Sequence, residues 1–129
     1  MKLLFDTNVL ISAIVSRGYS YDVVADAIDK HEIIITEQVL RELAEVLSRK
    51  FDFSPELTAS AKRLFQKHCV LVGAANKAPD VCRDAADNQL LADAAANKVD
   101  ALISGDADLL VLKEYQGMRI LSPKAYWKL

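Results

Sequence analysis

Two cysteines, two histidines and no long apolar run are all that the 129 residues offer for several common chemistries. Cys69 and Cys82 cannot form a disulfide framework, and one pair is too few for a zinc site. A reducing cytosol is then the default compartment. No segment approaches the roughly 18–20 apolar residues that cross a bilayer, and the N-terminus shows no signal-peptide pattern. A lone Lys2 is instead followed by three apolar residues running straight into Asp6. No membrane role is expected. A strong net charge is missing too. The formal value is −2, which neither supports nucleic-acid binding nor argues against it, because acids gathered in one cleft mask basic residues elsewhere. There is no repeat, low-complexity tract, glycine-rich phosphate loop or Ser-His-Asp set. His31 and His68 fall at helix ends, where they suit C-terminal capping.

What the chain does have is apolar material, 52% of it, enough for one domain over residues 1–129 with a core of its own. Short β-like runs alternate with helical stretches. Strands are expected at Lys2–Phe5, Glu32–Ile35, Cys69–Val72, Asp100–Ile103 and Met118–Leu121. Helices are expected at Asn8–Ser16, at Tyr21–Lys30 with Ser20 as cap, from Thr36 to about Lys50, and from Pro55 to about His68. Further helices follow at Ala85–Asn97 and Asp106–Lys113, with a polar loop over Gly73–Arg83 between. This alternation predicts an α/β fold with a largely parallel sheet covered on both faces.

The acids carry the functional signal. Asp6-Thr7-Asn8 directly follows the first strand, and Ser104-Gly105-Asp106-Ala107-Asp108 follows the fourth. Each has a bland explanation as a helix N-cap. Each also lies at the carboxyl end of a strand, where open parallel sheets bind their ligands, and two such acids are harder to dismiss than one. In the third helix, at about 100° per residue, Val39, Leu40, Leu43, Val46 and Leu47 make an apolar stripe. Glu42 borders it, while Arg41 and Glu45 point nearly opposite. Asp87 shares the inward face of Leu90 and Leu91; Asp84 suits a cap interacting with the helix dipole, and Asp93 is expected to be solvated. Converging carboxylates repel one another. A hard divalent cation relieves this, and an all-oxygen set selects Mg²⁺ or Mn²⁺ over zinc.

These pieces, F-D-T-N-V-L, R-E-L-A-E-V-L, C-R-D-A-A-D-N-Q-L-L-A-D-A and D-A-L-I-S-G-D-A-D-L-L, together resemble the PIN-domain family along the chain from Asp6 to the final strand. Four motifs in this order and spacing are specific where one would not be. The chain looks closest to the toxin branch of toxin–antitoxin pairs, the VapC-like ribonucleases. The resemblance implies a three-layer α/β/α sandwich whose five strands are ordered 3-2-1-4-5. It implies an Mg²⁺- or Mn²⁺-dependent endoribonuclease using one or two ions, with Asp6, Glu42, Asp87 and Asp106 as the catalytic and metal-binding acids. Asp108 and Asp84 are further metal candidates, and Asn8 and Ser104 match supporting polar positions. Arg17, Arg83 and Lys113 are candidates for contacting RNA phosphates; single surface charges are more often merely solvated. A small antitoxin and a second copy of the chain are the implied protein partners.

Three other readings compete. A phosphatase of the haloacid-dehalogenase type also begins strand–Asp, but that family resembles D-x-D where this chain has Asp6-Thr7-Asn8. A PIN fold kept for RNA or protein binding without catalysis would not need its acids intact. A housekeeping PIN nuclease would share the chemistry without the antitoxin.

Overall fold

The computed structural model describes residues 1–129. Its centre is a set of short, almost wholly apolar strands: β1 (Lys2–Phe5), β2 (Glu32–Thr36), β3 (Val70–Val72) and β4 (Ala101–Ile103). Leu3, Leu4 and Phe5 point alternately to opposite faces of the sheet, yet all are at most 1% exposed. Both faces are therefore covered, as parallel sheets require. β1 pairs in parallel with β2 on one side and with β4 on the other, in registers Leu4↔Ile34 and Phe5↔Ile103.

Six helices follow strands or one another: α1 (Thr7–Val15), α2 (Tyr19–Lys30), α3 (Glu37–Lys50), α4 (Pro55–His68), α5 (Ala85–Ala96) and α6 (Ala107–Leu110). Their starts obey capping chemistry. Thr36 and Ser54 accept from the backbone N–H three residues on, and Pro55 takes the first helical position, where no N–H is needed. α2 begins two residues earlier than expected, at Tyr19. Gly18 is its cap and Ser20 lies inside the first turn, because glycine serves at this position nearly as well as a hydroxyl residue.

The sheet has six strands, not five, in the order β3-β2-β1-β4-β6-β5. The extra strand, β5 (Glu114–Tyr115), runs antiparallel to β6 (Met118–Leu121). Gln116 and Gly117 join them with φ of 49° and 82°, the backbone a two-residue hairpin turn demands. The expected helix over Asp106–Lys113 is correspondingly shorter, because Lys113 takes a positive φ of 63° as the chain enters β5. Ser122 ends β6 and caps a last short helix, α7 (Pro123–Tyr126). Otherwise the expected order of five parallel strands is present, with β1 and β4 side by side at the point where the winding reverses. Cys69 and Cys82 are free thiols, and no helix is long and apolar enough to cross a membrane.

Candidate metal centre and active site

The β1–β4 register decides the first contact. Phe5 lies opposite Ile103, so the next residues, Asp6 and Ser104, emerge together at the carboxyl edge. The Asp6 N–H extends the ladder to the Ile103 carbonyl at 2.9 Å. The Ser104 hydroxyl, wholly buried, donates to Asp6 Oδ2 at 2.7 Å. Asp6 Oδ1 meanwhile accepts from the Thr7 N–H at 2.8 Å. Asp6 is thus both the N-cap of α1 and a buried carboxylate at the strand end; the two readings of this residue are compatible.

Asp106 reaches the same place by a second route. Gly105 is exposed and carries the chain away from β4, and the Asp106 N–H donates back to Ser104 Oγ at 2.9 Å. Asp106 caps α6 by accepting from the Asp108 N–H at 2.9 Å. Asp87, buried in the first turn of α5, completes the group: one carboxylate oxygen each from Asp6, Asp87 and Asp106 lie within 4.8 Å of one another. None of the three forms a salt bridge.

The electrostatic consequence is clear. Burial raises the Asp6 carboxyl above its ordinary pKa, opposed by the hydrogen bonds from Ser104 and Thr7 and reinforced by the charge on Asp106. Burial first, then the charges on Asp106 and Asp6, push Asp87 up to about 7. Its Oδ2 is buried with no hydrogen-bond partner. An all-carboxylate donor set with one orphaned buried oxygen and no protein cation against it fits a hard divalent ion, Mg²⁺ or Mn²⁺. Asp6, Asp87 and Asp106 would hold it.

Glu42 stands beside this group. It is half-buried on the α3 face that carries Leu43 and Leu47, and it accepts from the Thr7 hydroxyl at 3.2 Å. Burial raises its pKa, with the Thr7 hydrogen bond opposing and the charge on Asp6 adding to the rise. Glu45 is exposed and pairs with Arg49 at 3.1 Å. An open cleft of about 410 Å³ runs past Glu42 between α3 and the start of α5, lined also by Gln38, Arg41, Ala86 and Gln89.

The remaining candidates sort differently. Asp84 is exposed and caps α5 through the Ala86 N–H. Asp108 turns to the Arg83 guanidinium, which donates to both its oxygens at 2.8 and 3.0 Å. Asp106, not Asp108, therefore joins the carboxylate group. Asn8 is exposed on the first turn of α1. Arg17 lies 5.0 Å over the Tyr21 ring, and Lys113 is exposed where β5 begins. Asp93 corrects an expectation: it is 1% exposed, not solvated. The loop of residues 73–83 folds back over that side of α5, and Asp93 Oδ1 accepts from the Ala75 N–H at 2.7 Å and from Gln89 at 2.8 Å.

Two contributors have no clear signature in the sequence pattern. Thr7, which reads as part of a cap, orients Glu42. Asn88, buried, accepts from the Val81 and Cys82 N–H groups and donates to the Cys82 carbonyl. For Asn88 a clue exists, because asparagine inside a helix often signals a side chain bonded to backbone elsewhere.

A family model described as PIN domain matches residues 2–108. A chain in the crystal structure of VapBC2 from Rickettsia felis, bound to a DNA fragment from the promoter, superposes with a TM-score of 0.69 at 16% identity. The match covers 95% of this chain and 98% of that one. At that identity the likeness concerns the fold. No curated protein gives a significant match. With the family model spanning most of its length, this chain belongs to the PIN domain family.

Proposed function

We propose that the protein is a divalent-metal-dependent endoribonuclease that acts as the toxin of a toxin–antitoxin pair. The observation that carries the nuclease reading is the convergence of Asp6, Asp87 and Asp106 on a space within 4.8 Å, with a buried, unpartnered Asp87 oxygen facing no protein cation. When bound there, an Mg²⁺ or Mn²⁺ ion, or a pair of them, supplies Lewis acidity that polarises a phosphoryl oxygen and makes water a competent nucleophile near neutral pH. The chain's residues do the rest. Ser104 fixes the Asp6 carboxylate and, through the Asp106 N–H, the turn beside it. Thr7 holds Glu42 at the edge of the group, where a carboxylate of raised pKa can accept a proton from water. No histidine is needed.

RNA as substrate rests on the motif resemblance to VapC-like ribonucleases. The antitoxin reading draws on the VapBC2 complex, a structure of this fold, and on an apolar groove of about 460 Å³ between α1, α2 and α4. Ile14, Tyr21, Val24, Ile28 and Leu64 line it, and Tyr21 and Leu64 are 37% and 50% exposed. A helix from a small antitoxin would lay its apolar side there. A second copy of the chain is the other implied partner.

Purified protein incubated with single-stranded RNA tests the enzyme: cleavage with Mg²⁺ or Mn²⁺, abolished by EDTA, is expected. Cleavage unaffected by EDTA contradicts the reading. Expression of the chain alone, and beside its neighbouring small open reading frame, tests the toxin. Growth arrest relieved by the neighbour is expected. Harmless expression with no co-purifying neighbour removes the toxin role and leaves a housekeeping nuclease.

A further inference from the structure

The loop of residues 73–83 is tied to α5 by side chains that have no other evident task. Near its start, buried Asp93 accepts from the Ala75 N–H at 2.7 Å and Gln89 donates to the Ala75 carbonyl at 3.1 Å. At its end, buried Asn88 makes three bonds to the backbone of Val81 and Cys82, the closest at 2.8 Å. Asp84, the next residue beyond Arg83, is fixed as the α5 cap. Arg83 is thus anchored on both sides by its backbone, while its side chain is 88% exposed. Its guanidinium rests on Asp108, two residues from Asp106, and feels the Asp106 charge as well.

A pair this exposed is screened by water and contributes little to stability. A guanidinium fork accepts phosphate as readily as carboxylate. The carboxylate group of Asp6, Asp87 and Asp106, with Glu42 beside it, repels a polyanion, so a cation next to Asp106 has a task. We propose that Arg83 is a substrate-binding residue, parked on Asp108 in the free protein and transferred to a backbone phosphate when RNA enters. The strap of residues 73–83, pinned by Asn88 and Asp93, positions it. Because Asn88 adjoins Asp87, the metal-binding acid and the phosphate-binding arginine ride on one rigid segment. This rests on the nuclease reading for the identity of the polyanion, but not on turnover.

The test is equilibrium binding of a fluorescent single-stranded RNA to the full chain, with Ca²⁺ in place of Mg²⁺, across a salt series. Arg83→Ala is expected to weaken binding by about tenfold at low salt. It should also reduce the steepness of log K against log[salt] by about 0.7, the loss of one phosphate contact on a single strand. Arg83→Lys keeps the slope. Asp108→Asn, which removes the parking site, tightens binding. Asn88→Ala, which frees the strap, flattens the slope like Arg83→Ala. Wild-type affinity and slope in Arg83→Ala overturn the proposal, as does weaker binding by Asp108→Asn. A wild-type slope in Asn88→Ala removes the strap from it. If the intact protein binds RNA through Arg83 but never cleaves it with Mg²⁺, the nuclease reading fails and this one stands. If the intact protein cleaves RNA while Arg83→Ala binds it unchanged, the nuclease reading stands and this one fails.

Discussion

Ser104 and Asp6, 98 residues apart in sequence, meet at 2.7 Å because two parallel strands end in register. One hydroxyl both orients the Asp6 carboxylate and accepts the Asp106 N–H. It therefore ties two proposed metal ligands to one another.

Removing that hydroxyl should loosen the site more than the fold. Ser104→Ala is expected to lower Mn²⁺ affinity by about 10–100-fold, the usual cost of losing a group that orients a ligand. Calorimetric titration measures this. Unaltered affinity would show that Ser104 is only a structural link between β4 and α6.

The three clustered acids should be individually indispensable. Asp6→Asn, Asp87→Asn and Asp106→Asn are each expected to abolish metal-dependent cleavage while leaving the circular dichroism spectrum intact. Asp87→Asn should also raise the metal-free melting temperature, because it removes a buried charge from beside two others. A gain of about 1 kcal/mol corresponds to several degrees for a chain of this size. Full cleavage by Asp6→Asn would refute the site.

Glu42 and Glu45 offer a comparison within one helix. Glu42 touches Thr7 beside Asp6, whereas Glu45 lies exposed against Arg49. Glu42→Gln should reduce turnover by about two orders of magnitude or more, as loss of a general base does, and Glu45→Gln should leave it within twofold. Thr7→Val should fall between them. Equal rates for the two Gln variants would mean that the wrong acid has been chosen.

The acids also predict opposite pH trends with and without metal. Burial raises the folded-state pKa of Asp6, Glu42 and Asp87, to about 7 for the last. Their contribution to metal-free stability is therefore complete below the ordinary carboxylate range and is lost as pH rises through the folded values. The metal-free melting temperature should fall as pH rises from about 4, the ordinary carboxylate value, to about 7. Metal binding needs the deprotonated forms, so Mg²⁺ affinity should rise by about tenfold per unit and level off above about 7. Parallel trends with and without Mg²⁺ would contradict the carboxylate assignment.

Much of the fold and site is legible in the sequence because strand ends and helix faces are local properties. Lys2–Phe5 and Ala101–Ile103 are apolar enough to read as buried strands, and that alone brings Asp6 and Asp106 to carboxyl ends. Helical angles single out Glu42 from Glu45, and Asp87 from Asp84. Asp93 defeats the same reasoning because α5 is buried on most of its circumference, and the covering loop leaves no periodic trace in the sequence. β5 is invisible since two residues cannot show an alternation, and Gln116-Gly117 is a weaker hairpin signal than Asn-Gly. The Arg83–Asp108 pair cannot be foreseen either. A contact across 25 residues depends on how the loop returns, which spacing does not encode.

A crystal soaked in Mn²⁺ and recorded at the manganese absorption edge shows most directly whether Asp6, Asp87 and Asp106 hold a metal ion. An anomalous peak about 2.0–2.3 Å from carboxylate oxygens of Asp6, Asp87 and Asp106 is the predicted result. A peak coordinated instead by Asp84 or Asp108, or no peak among the acids at all, would contradict it.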